Sequence, residues 1–283
     1  MRGTKRLRMF VASVAAGQNQ VMLGRRVFTV RLLLHACIPL LCLAQIDGSA
    51  AYHAFKAWEK SSATAGRPWP ETLRRYALKL ETDGLSKDAI EKTIRIIDGR
   101  EEALLYDKIY TAAPKFNVKP NQLLAEAVEA SRPGKALDAG MGQGRNAIYL
   151  AQKGWDVTGF DVSEEGLSRA RERARELNLH LTTELLSSEE FDFGTDRWDL
   201  IAILYAIEKH SVFQVRKALK PGGVVVIEES HKEFGGKPFE YDTNELLKIF
   251  DGFRILKYED TIAVHDWTGK KMRMVRLVAQ KPK

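Results

Sequence analysis

Three glycines stand at every second position of one short segment: Gly140, Gly142 and Gly144. They follow a short apolar run and precede a helical pattern. Glycine has no Cβ, so it adopts positive φ angles and lets another molecule approach the backbone closely. A helix that begins after such a turn exposes backbone amides that attract negatively polarised atoms. The segment therefore predicts a strand, a ligand-binding loop and a helix, in that order.

Short β-type runs alternate with helical segments from Lys135 to the end of the chain. Strands separated by helices predict a parallel, doubly wound sheet. No helical segment separates the last two runs, so we expect an antiparallel pair at one edge. The fold class is therefore α/β, with a mostly parallel seven-stranded sheet and an antiparallel edge strand. The seven runs are Ala136–Asp138, Trp155–Phe160, Leu179–Leu186, Trp198–Leu204, Val224–Glu228, Arg254–Tyr258 and Arg273–Ala279.

Residues 47–113 predict a helical N-terminal extension before this sheet. A loop of small residues and prolines, Ser61–Pro70, separates two helical parts, and Asp98-Gly99 is expected to break or kink the second. The chain is thus expected to have three parts: a leader over 1–46, the helical extension over 47–113 and the α/β domain over 114–283.

The basic charge of the chain belongs to its leader. Residues 1–46 hold seven arginines and lysines and no acid, so 37 basic residues face 37 acidic ones in the remainder. The body is therefore neutral, which gives no support for a nucleic-acid partner. The only two cysteines lie in the leader, at 37 and 42. A body without cysteine excludes disulfides, thiolate metal sites and a cysteine nucleophile there, and no other metal-ligand spacing is present.

Within the leader, Leu32–Ala44 is a run of 13 almost entirely apolar residues, with Arg25, Arg26 and Arg31 before it and small residues after it. This pattern is typical of a signal peptide, and the run is short for a membrane span. An uncleaved anchor, a transit peptide and an upstream translation artefact with the true start at Met22 are the alternatives. We expect export or membrane association through residues 22–46, or a cytoplasmic protein if the start is misassigned.

Two acids flank the glycine-rich segment in the predicted sheet. Asp138 ends the first strand, where its carboxylate would repel a pyrophosphate but can accept a hydrogen bond from the amino group of a methionine moiety. Asp161 ends the second strand, where a carboxylate can accept both hydroxyls of a ribose. A dinucleotide fingerprint would place its third glycine at 145, where this chain has Arg145. The pattern favours S-adenosylmethionine over a dinucleotide, and a nicotinamide enzyme remains the alternative.

These motifs resemble class I S-adenosylmethionine-dependent methyltransferases over residues 114–283. The resemblance rests on Asp138–Gly144, on Asp161, on the fourth strand at Arg197-Trp198-Asp199-Leu200-Ile201 and on Leu219-Lys220-Pro221-Gly222-Gly223-Val224 before the fifth strand. It is nearest to small bacterial enzymes that act on small molecules or inorganic oxyanions. The resemblance implies a cofactor site formed by Asp138, Gly140, Met141, Gly142, Gln143, Gly144, Asn146, Asp161, Val162, Ser188, Glu189 and Leu204.

One position departs from the family pattern. Family members commonly have an acid after the third strand that holds the adenine amino group, and this chain has Ser187-Ser188 there. Ser188, Glu189, backbone groups or Phe191 are the candidates to replace it. A non-catalytic S-adenosylmethionine-binding module tethered at a membrane is therefore the alternative to an enzyme.

The acceptor is expected beyond the carboxyl ends of the strands, where Tyr205, His210 and His231 are candidate catalytic residues. A base is needed only if the acceptor must lose a proton. A helix-capping role for the histidines and a wall role for Tyr205 are the simpler alternatives. Tyr106–Tyr110 is expected either to cover the cofactor or to pack at the sheet edge. The sequence after the fourth strand lacks the Asn/Asp-Pro-Pro-Tyr motif of enzymes that methylate the exocyclic amines of bases. A small-molecule acceptor is therefore the remaining expectation. Oligomeric state is not indicated.

Overall fold

A computed structural model provides the structure of the chain. It has two compact units, Met1–Gln45 and Ile46–Lys283. In the first unit, strand β1 (Gln20–Leu23) pairs antiparallel with β2 (Arg26–Thr29). The signal-like run at 32–44 lies outside the described residues, so export and membrane association stay predictions. The structure describes residues 20–23, 26–29, 48–62, 66–112, 117–207, 209–234, 240–266 and 268–283.

The second unit begins with three helices, α1 (Gly48–Ser61), α2 (Trp69–Thr82) and α3 (Lys87–Ala112), which confirms that this region is helical. They share a small core formed by Phe55, Tyr76, Leu80 and Ile97. The predicted break at Asp98-Gly99 was wrong, because α3 runs through it without interruption. A glycine inside a helix costs only about 1 kcal/mol. Here the buried Ile97 and a 2.6 Å hydrogen bond from the Trp69 indole to Asp98 hold the helix together.

The remaining elements alternate between helix and strand before ending in a hairpin. None of the described helices is long and apolar enough to cross a membrane. The elements are α4 (Gln122–Val128), β3 (Lys135–Ala139), α5 (Arg145–Gln152), β4 (Asp156–Asp161), α6 (Glu164–Glu176), β5 (Thr182–Leu185), β6 (Trp198–Leu204), α7 (Lys209–Ala218), β7 (Leu219–Ser230), α8 (Glu245–Ile249), β8 (Arg254–Val264) and β9 (Lys271–Gln280).

These strands form a seven-stranded sheet in the order β5-β4-β3-β6-β7-β9-β8. The first five are parallel, and β9 runs antiparallel to both β7 and β8. The predicted α/β fold, the mostly parallel sheet and the antiparallel pair at one edge are therefore confirmed. The antiparallel strand itself is β9, which lies one position inside the edge strand β8, because the hairpin returns the chain between β7 and β8.

The central strands of the sheet, such as β3 and β6, are buried on both faces, which accounts for their nearly continuous apolar sequences. In β6, Ile201 and Ile203 pack on one face, whereas Leu200 and Ala202 pack on the other. The strand order reverses between β3 and β6, so the chain turns in opposite directions after these neighbouring strands. Ligands bind such sheets in the crevice outside the carboxyl ends of the strands at this switch point. The fold thus directs attention to the loops after β3, β4 and β6.

Candidate active site

A cleft of about 990 Å³ lies at the carboxyl ends of β3, β4 and β6, and α3 contributes to its opposite wall. The structure brings most of the predicted site residues to it. Four others do not line it: Asp138, Gly142, Gly144 and His231. Those that do are Gly140, Met141, Gln143, Asn146, Asp161, Val162, Ser188, Glu189, Leu204, Tyr205 and His210.

The glycine-rich loop has the conformation that its sequence predicts. Gly140, Gly142 and Gly144 have φ angles of 70°, 51° and 78°. Close packing is a second reason for these glycines. A Cβ atom at Gly140 would lie 2.2 Å from the Ala206 Cβ, and one at Gly142 would lie 2.2 Å from the Tyr110 hydroxyl oxygen. The loop is therefore held between the β6 loop and α3, and its glycines shape the cleft even where they do not line it.

Asp161 is the acid that faces the cleft. One of its carboxylate oxygens accepts a 2.8 Å hydrogen bond from the Gly142 amide, and the other accepts a 2.9 Å bond from the Ser163 amide. Burial raises the pKa of this carboxyl, whereas the amide hydrogen bonds act in the opposite direction. Each carboxylate oxygen can accept a further hydrogen bond. Asp161 is therefore fixed in place and still able to accept hydroxyl groups from a ligand.

Asp138 occupies a different environment from the one that its sequence position suggests. Its side chain is buried, and a carboxylate oxygen accepts a 2.9 Å hydrogen bond from the Ala147 amide in the first turn of α5. Burial raises the pKa of Asp138 to about 7. Asp138 does not line the cleft, so its contact with a methionine amino group, direct or through water, stays a prediction. The side chain points beneath the loop and supports the start of the helix.

The end of β5 and the start of α7 form another wall of the cleft. The His210 Nε2 atom lies 3.1 Å from a carboxylate oxygen of Glu189. Ser211 donates a 3.1 Å hydrogen bond to the Ser188 hydroxyl oxygen. Phe191 is buried and stacks on Phe160 with 4.4 Å between ring centroids. Phe191 therefore belongs to the core, which leaves Ser188, Glu189 and backbone groups as the candidates for holding an adenine.

Tyr205 lines the cleft with its ring while its hydroxyl donates a hydrogen bond to the buried Glu228 carboxylate. Its ring stacks on His265, with 4.0 Å between centroids. Burial and the Glu228 charge both raise the pKa of the tyrosine hydroxyl. A hydroxyl committed to a carboxylate in this way is a poor base, so this residue forms a wall of the site.

The structure places His231 outside the cleft. The strand β7 continues past Glu228, which pairs with the last residue of β6, and so carries His231 beyond the shared strand edge. The imidazole is buried, with Nε2 3.2 Å from the Thr243 hydroxyl and Nδ1 accepting a 3.2 Å hydrogen bond from the Glu233 amide. The prediction of His231 as a candidate catalytic residue is therefore corrected, because its interactions are structural.

The aromatic segment of α3 reaches the cleft, where Tyr106 and Tyr110 form part of its wall. Burial raises the pKa of Tyr106 to about 12. Between them, Asp107 accepts hydrogen bonds of 2.5 Å from the Ser163 hydroxyl and 3.1 Å from the Glu165 amide at the start of α6. This helix is thereby attached to the loop that carries Asp161, and its tyrosines lie over the glycine-rich loop.

Sequence reasoning missed a group of polar residues beside the loop. Arg145 lines the cleft and donates two 2.9 Å hydrogen bonds to the carboxylate of Asp266. Asn121 joins Asp266 to Glu228, with bonds of 3.0 Å and 2.9 Å. The only available signal was Arg145, which directly follows the last glycine but was considered only as the place of a missing glycine. Among the described residues, no group of three or more potential ligands could hold a metal ion.

Comparisons with known proteins agree with this site. Residues 136–223 match a family described as a methyltransferase domain. A probable S-adenosyl-L-methionine-dependent methyltransferase TehB of Haemophilus influenzae is 36% identical over 169 residues, which cover 53% of this chain and 58% of the relative. The solved structure of TehB from Haemophilus influenzae is similar with a TM-score of 0.50 at 23% identity, covering 56% of this chain and 61% of that one.

A second solved structure, that of the cyclase SpnF, has a TM-score of 0.53 at 17% identity and covers 65% of this chain and 96% of that one. The two structural similarities support the fold alone. The chain spans little more than half the length of the curated relatives it matches. The matched domain, the sheet order, the glycine-rich loop and the relatives together support a class I S-adenosylmethionine-dependent methyltransferase. They agree with the family resemblance and with the cofactor class that the motifs implied.

Proposed function

We propose that this chain transfers a methyl group from S-adenosylmethionine to a small-molecule acceptor in the cleft between the strand ends and α3. The observation that carries the proposal is the convergence of the glycine-rich loop and the Asp161 carboxylate on one cleft of about 990 Å³. A site of that volume accommodates a nucleoside-sized ligand and a small acceptor together.

The residues present fit this cofactor. Asp161 is placed to hold ribose hydroxyls, because its oxygens are fixed by two backbone amides. Ser188 and Glu189 are the acceptors available for an adenine amino group. Arg145 lines the cleft with its guanidinium paired to Asp266, and it would meet the carboxylate of the methionine moiety only by sharing or leaving that pair. When bound, the cofactor supplies a methyl group activated by its sulfonium.

The acceptor would lie between the β6 loop and the α3 wall. Orientation of two reactants can by itself contribute several orders of magnitude in rate. His210 is the proposed base for an acceptor that must lose a proton, and the Glu189 carboxylate 3.1 Å away would hold its imidazole in place. The other cleft-lining groups after β6 act as walls.

Calorimetric titration of the full chain with S-adenosylhomocysteine, with NADH as the control ligand, tests the cofactor. Asp161→Ala should weaken S-adenosylhomocysteine by roughly 1–3 kcal/mol, the cost of leaving polar groups unpaired. Asp156→Ala is the matched control, because that exposed acid begins the same strand and does not line the cleft. Binding of NADH alone, or equal affinity in the parent and Asp161→Ala, would contradict the proposal.

Turnover is tested by incubating the protein with S-adenosylmethionine and a small-metabolite mixture and measuring release of S-adenosylhomocysteine. Methylated products should appear as mass shifts, and His210→Asn should lower the rate for an acceptor that must lose a proton. Cofactor binding with no product from a broad mixture would favour the non-catalytic binding module instead.

A further inference from the structure

A second cavity lies behind the glycine-rich loop, between α5 and α6. It has a volume of about 190 Å³, and we call it the arginine cavity. Part of its wall is apolar. No carboxylate lines it among the residues that the structure describes. Its polar lining consists of Gln143, Arg145, Tyr149, Gln152, Arg169 and Arg173.

The concentration of positive charge here is local, since the body of the chain is neutral. The α6 arginines form surface ion pairs: Arg169 with Glu165 at 2.8 Å and Arg173 with Glu176 at 3.7 Å. Exposed pairs of this kind contribute about 0–1 kcal/mol. Both guanidinium groups can therefore be drawn to a stronger anion at little cost.

We propose that the arginine cavity binds the phosphate group of a small ligand. A guanidinium presents a rigid fork of N–H donors that matches phosphate oxygens, and the two α6 guanidinium groups balance a doubly charged anion. The third arginine of the cavity, Arg145, is paired with Asp266. The glutamines and Tyr149 supply neutral hydrogen-bonding groups, and the apolar wall accommodates a carbon-containing portion of the ligand.

The arginine cavity shares two residues with the main cleft, because Gln143 and Arg145 line both. An anion that moves the Arg145 side chain acts on the same residue that is available to the cofactor. Binding at the two cavities is therefore linked, and the linkage must be reciprocal. This linkage rests on the proposed function, whereas phosphate binding does not.

Phosphorus NMR of the full chain with inorganic phosphate, at ionic strength fixed with sodium chloride, measures binding directly. The double variant Arg169→Gln/Arg173→Gln should weaken phosphate about ten-fold or more, because two charge-assisted hydrogen bonds are lost. The control Arg171→Gln/Arg175→Gln removes the same charge from the same helix outside the cavity and should keep the parent affinity. No saturable binding, or equal weakening in both double variants, would overturn the proposal.

Two further arms identify the ligand and the linkage. Phenyl phosphate should bind more tightly than inorganic phosphate, because the ring can cover the apolar wall. Weaker binding of phenyl phosphate would overturn the expectation that the ligand contains a carbon portion, and free phosphate would then be the ligand. The S-adenosylhomocysteine dissociation constant should change about five-fold or more at saturating phosphate, a typical coupling between sites. An unchanged constant in a protein that binds both ligands would overturn the linkage.

Discussion

The loops after β3 and β6 end neighbouring parallel strands and face the same cleft, yet they hold left-handed backbone in opposite ways. After β3, three glycines adopt positive φ angles without a side chain. After β6, Tyr205 and Ile207 have φ angles of 64° and 58°. For residues with a Cβ this conformation costs roughly 1–2 kcal/mol, so it persists only where surrounding contacts stabilise it.

The contacts that hold the β6 loop are visible around Tyr205. Its hydroxyl is bonded to the buried Glu228, its ring is stacked on His265, and its amide donates a 3.1 Å hydrogen bond to the Glu228 carbonyl. One loop is thus formed by removing side chains and the other by packing and hydrogen bonding. The lesson is that a ligand-facing loop can be built from either solution, but only the first leaves a readable glycine motif.

The largest effect is expected where the β6 loop loses its anchor. Glu228→Ala removes the acceptor of Tyr205, of Asn121 at 2.9 Å and of Arg276 at 2.5 Å. Breaking a buried ion pair by removing one partner costs about 3–5 kcal/mol. Urea unfolding of both proteins measures the loss.

The matched control for that loss is Glu259→Ala, since Glu259 accepts a 3.2 Å bond from the same Arg276 at a more exposed position. It should cost about 1 kcal/mol or less. Similar losses for the two variants would mean that the β6 loop does not depend on its buried anchor.

The next effect concerns the glycine-rich loop. Gly142→Ala places a Cβ at a φ of 51° and 2.2 Å from the Tyr110 hydroxyl oxygen. The left-handed backbone costs roughly 1–2 kcal/mol and the steric conflict another 1–3 kcal/mol. We expect a total loss of about 2–5 kcal/mol in the free energy of unfolding.

Gly154→Ala separates the two parts of that cost, because Gly154 has a φ of 85° but its nearest neighbour would be 3.8 Å away. It should show only the backbone part. Adding Tyr110→Phe to Gly142→Ala should recover some of the loss, which a double-mutant cycle detects. If Gly142→Ala and Gly154→Ala cost the same, α3 does not pack on the loop as described.

A pH effect of about 2 kcal/mol should arise beneath the same loop. Burial raises the pKa of Asp138 to about 7 in the folded state, above its ordinary value of 3.8. The folded protein then holds a proton that the unfolded chain releases, so this contribution to stability is present at acid pH and is lost as the pH rises through 7.

The parent should therefore lose on the order of 2 kcal/mol more than Asp138→Asn between pH 5 and pH 8, since each pKa unit corresponds to about 1.4 kcal/mol. Denaturant unfolding at several pH values measures this. Asp156→Asn, at the exposed start of β4, should keep the parent profile. An Asp138→Asn profile parallel to that of the parent would show that the carboxyl is ionised in the folded protein.

Sequence predicted the architecture well because hydrophobic periodicity determines which segments are strands and helices, and glycine spacing determines the loop. It also identified Asp161, which lines the cleft. It did not predict that Asp138 and His231 lie outside the lining of the cleft, because their positions depend on details that periodicity does not contain. The side-chain direction of Asp138 is set by the first turn of α5. The position of His231 is set by how far β7 extends past β6.

The β6 loop was the part of the site least accessible to sequence. Its sequence Tyr205-Ala206-Ile207 contains no glycine, and nothing local indicates a left-handed backbone. The residues that hold it come from distant parts of the chain, as the bonds of Glu228 to Asn121 and Arg276 show. Long-range hydrogen bonding of this kind is not encoded in a local pattern.

The smallest expected effect tests the comparison most directly, because it places a glycine at a left-handed position of the β6 loop, as the loop after β3 already has. Ile207→Gly should relieve roughly 1–2 kcal/mol of left-handed strain and lose a similar amount through backbone entropy and the partial packing of the side chain. The free energy of unfolding should thus change by about 1 kcal/mol or less. Ile203→Gly, four residues earlier in β6, should cost at least about 3 kcal/mol, because that side chain is buried and its backbone is an ordinary strand. Equal losses at the two isoleucines would show that Ile207 is held by packing alone and that its backbone stores no strain.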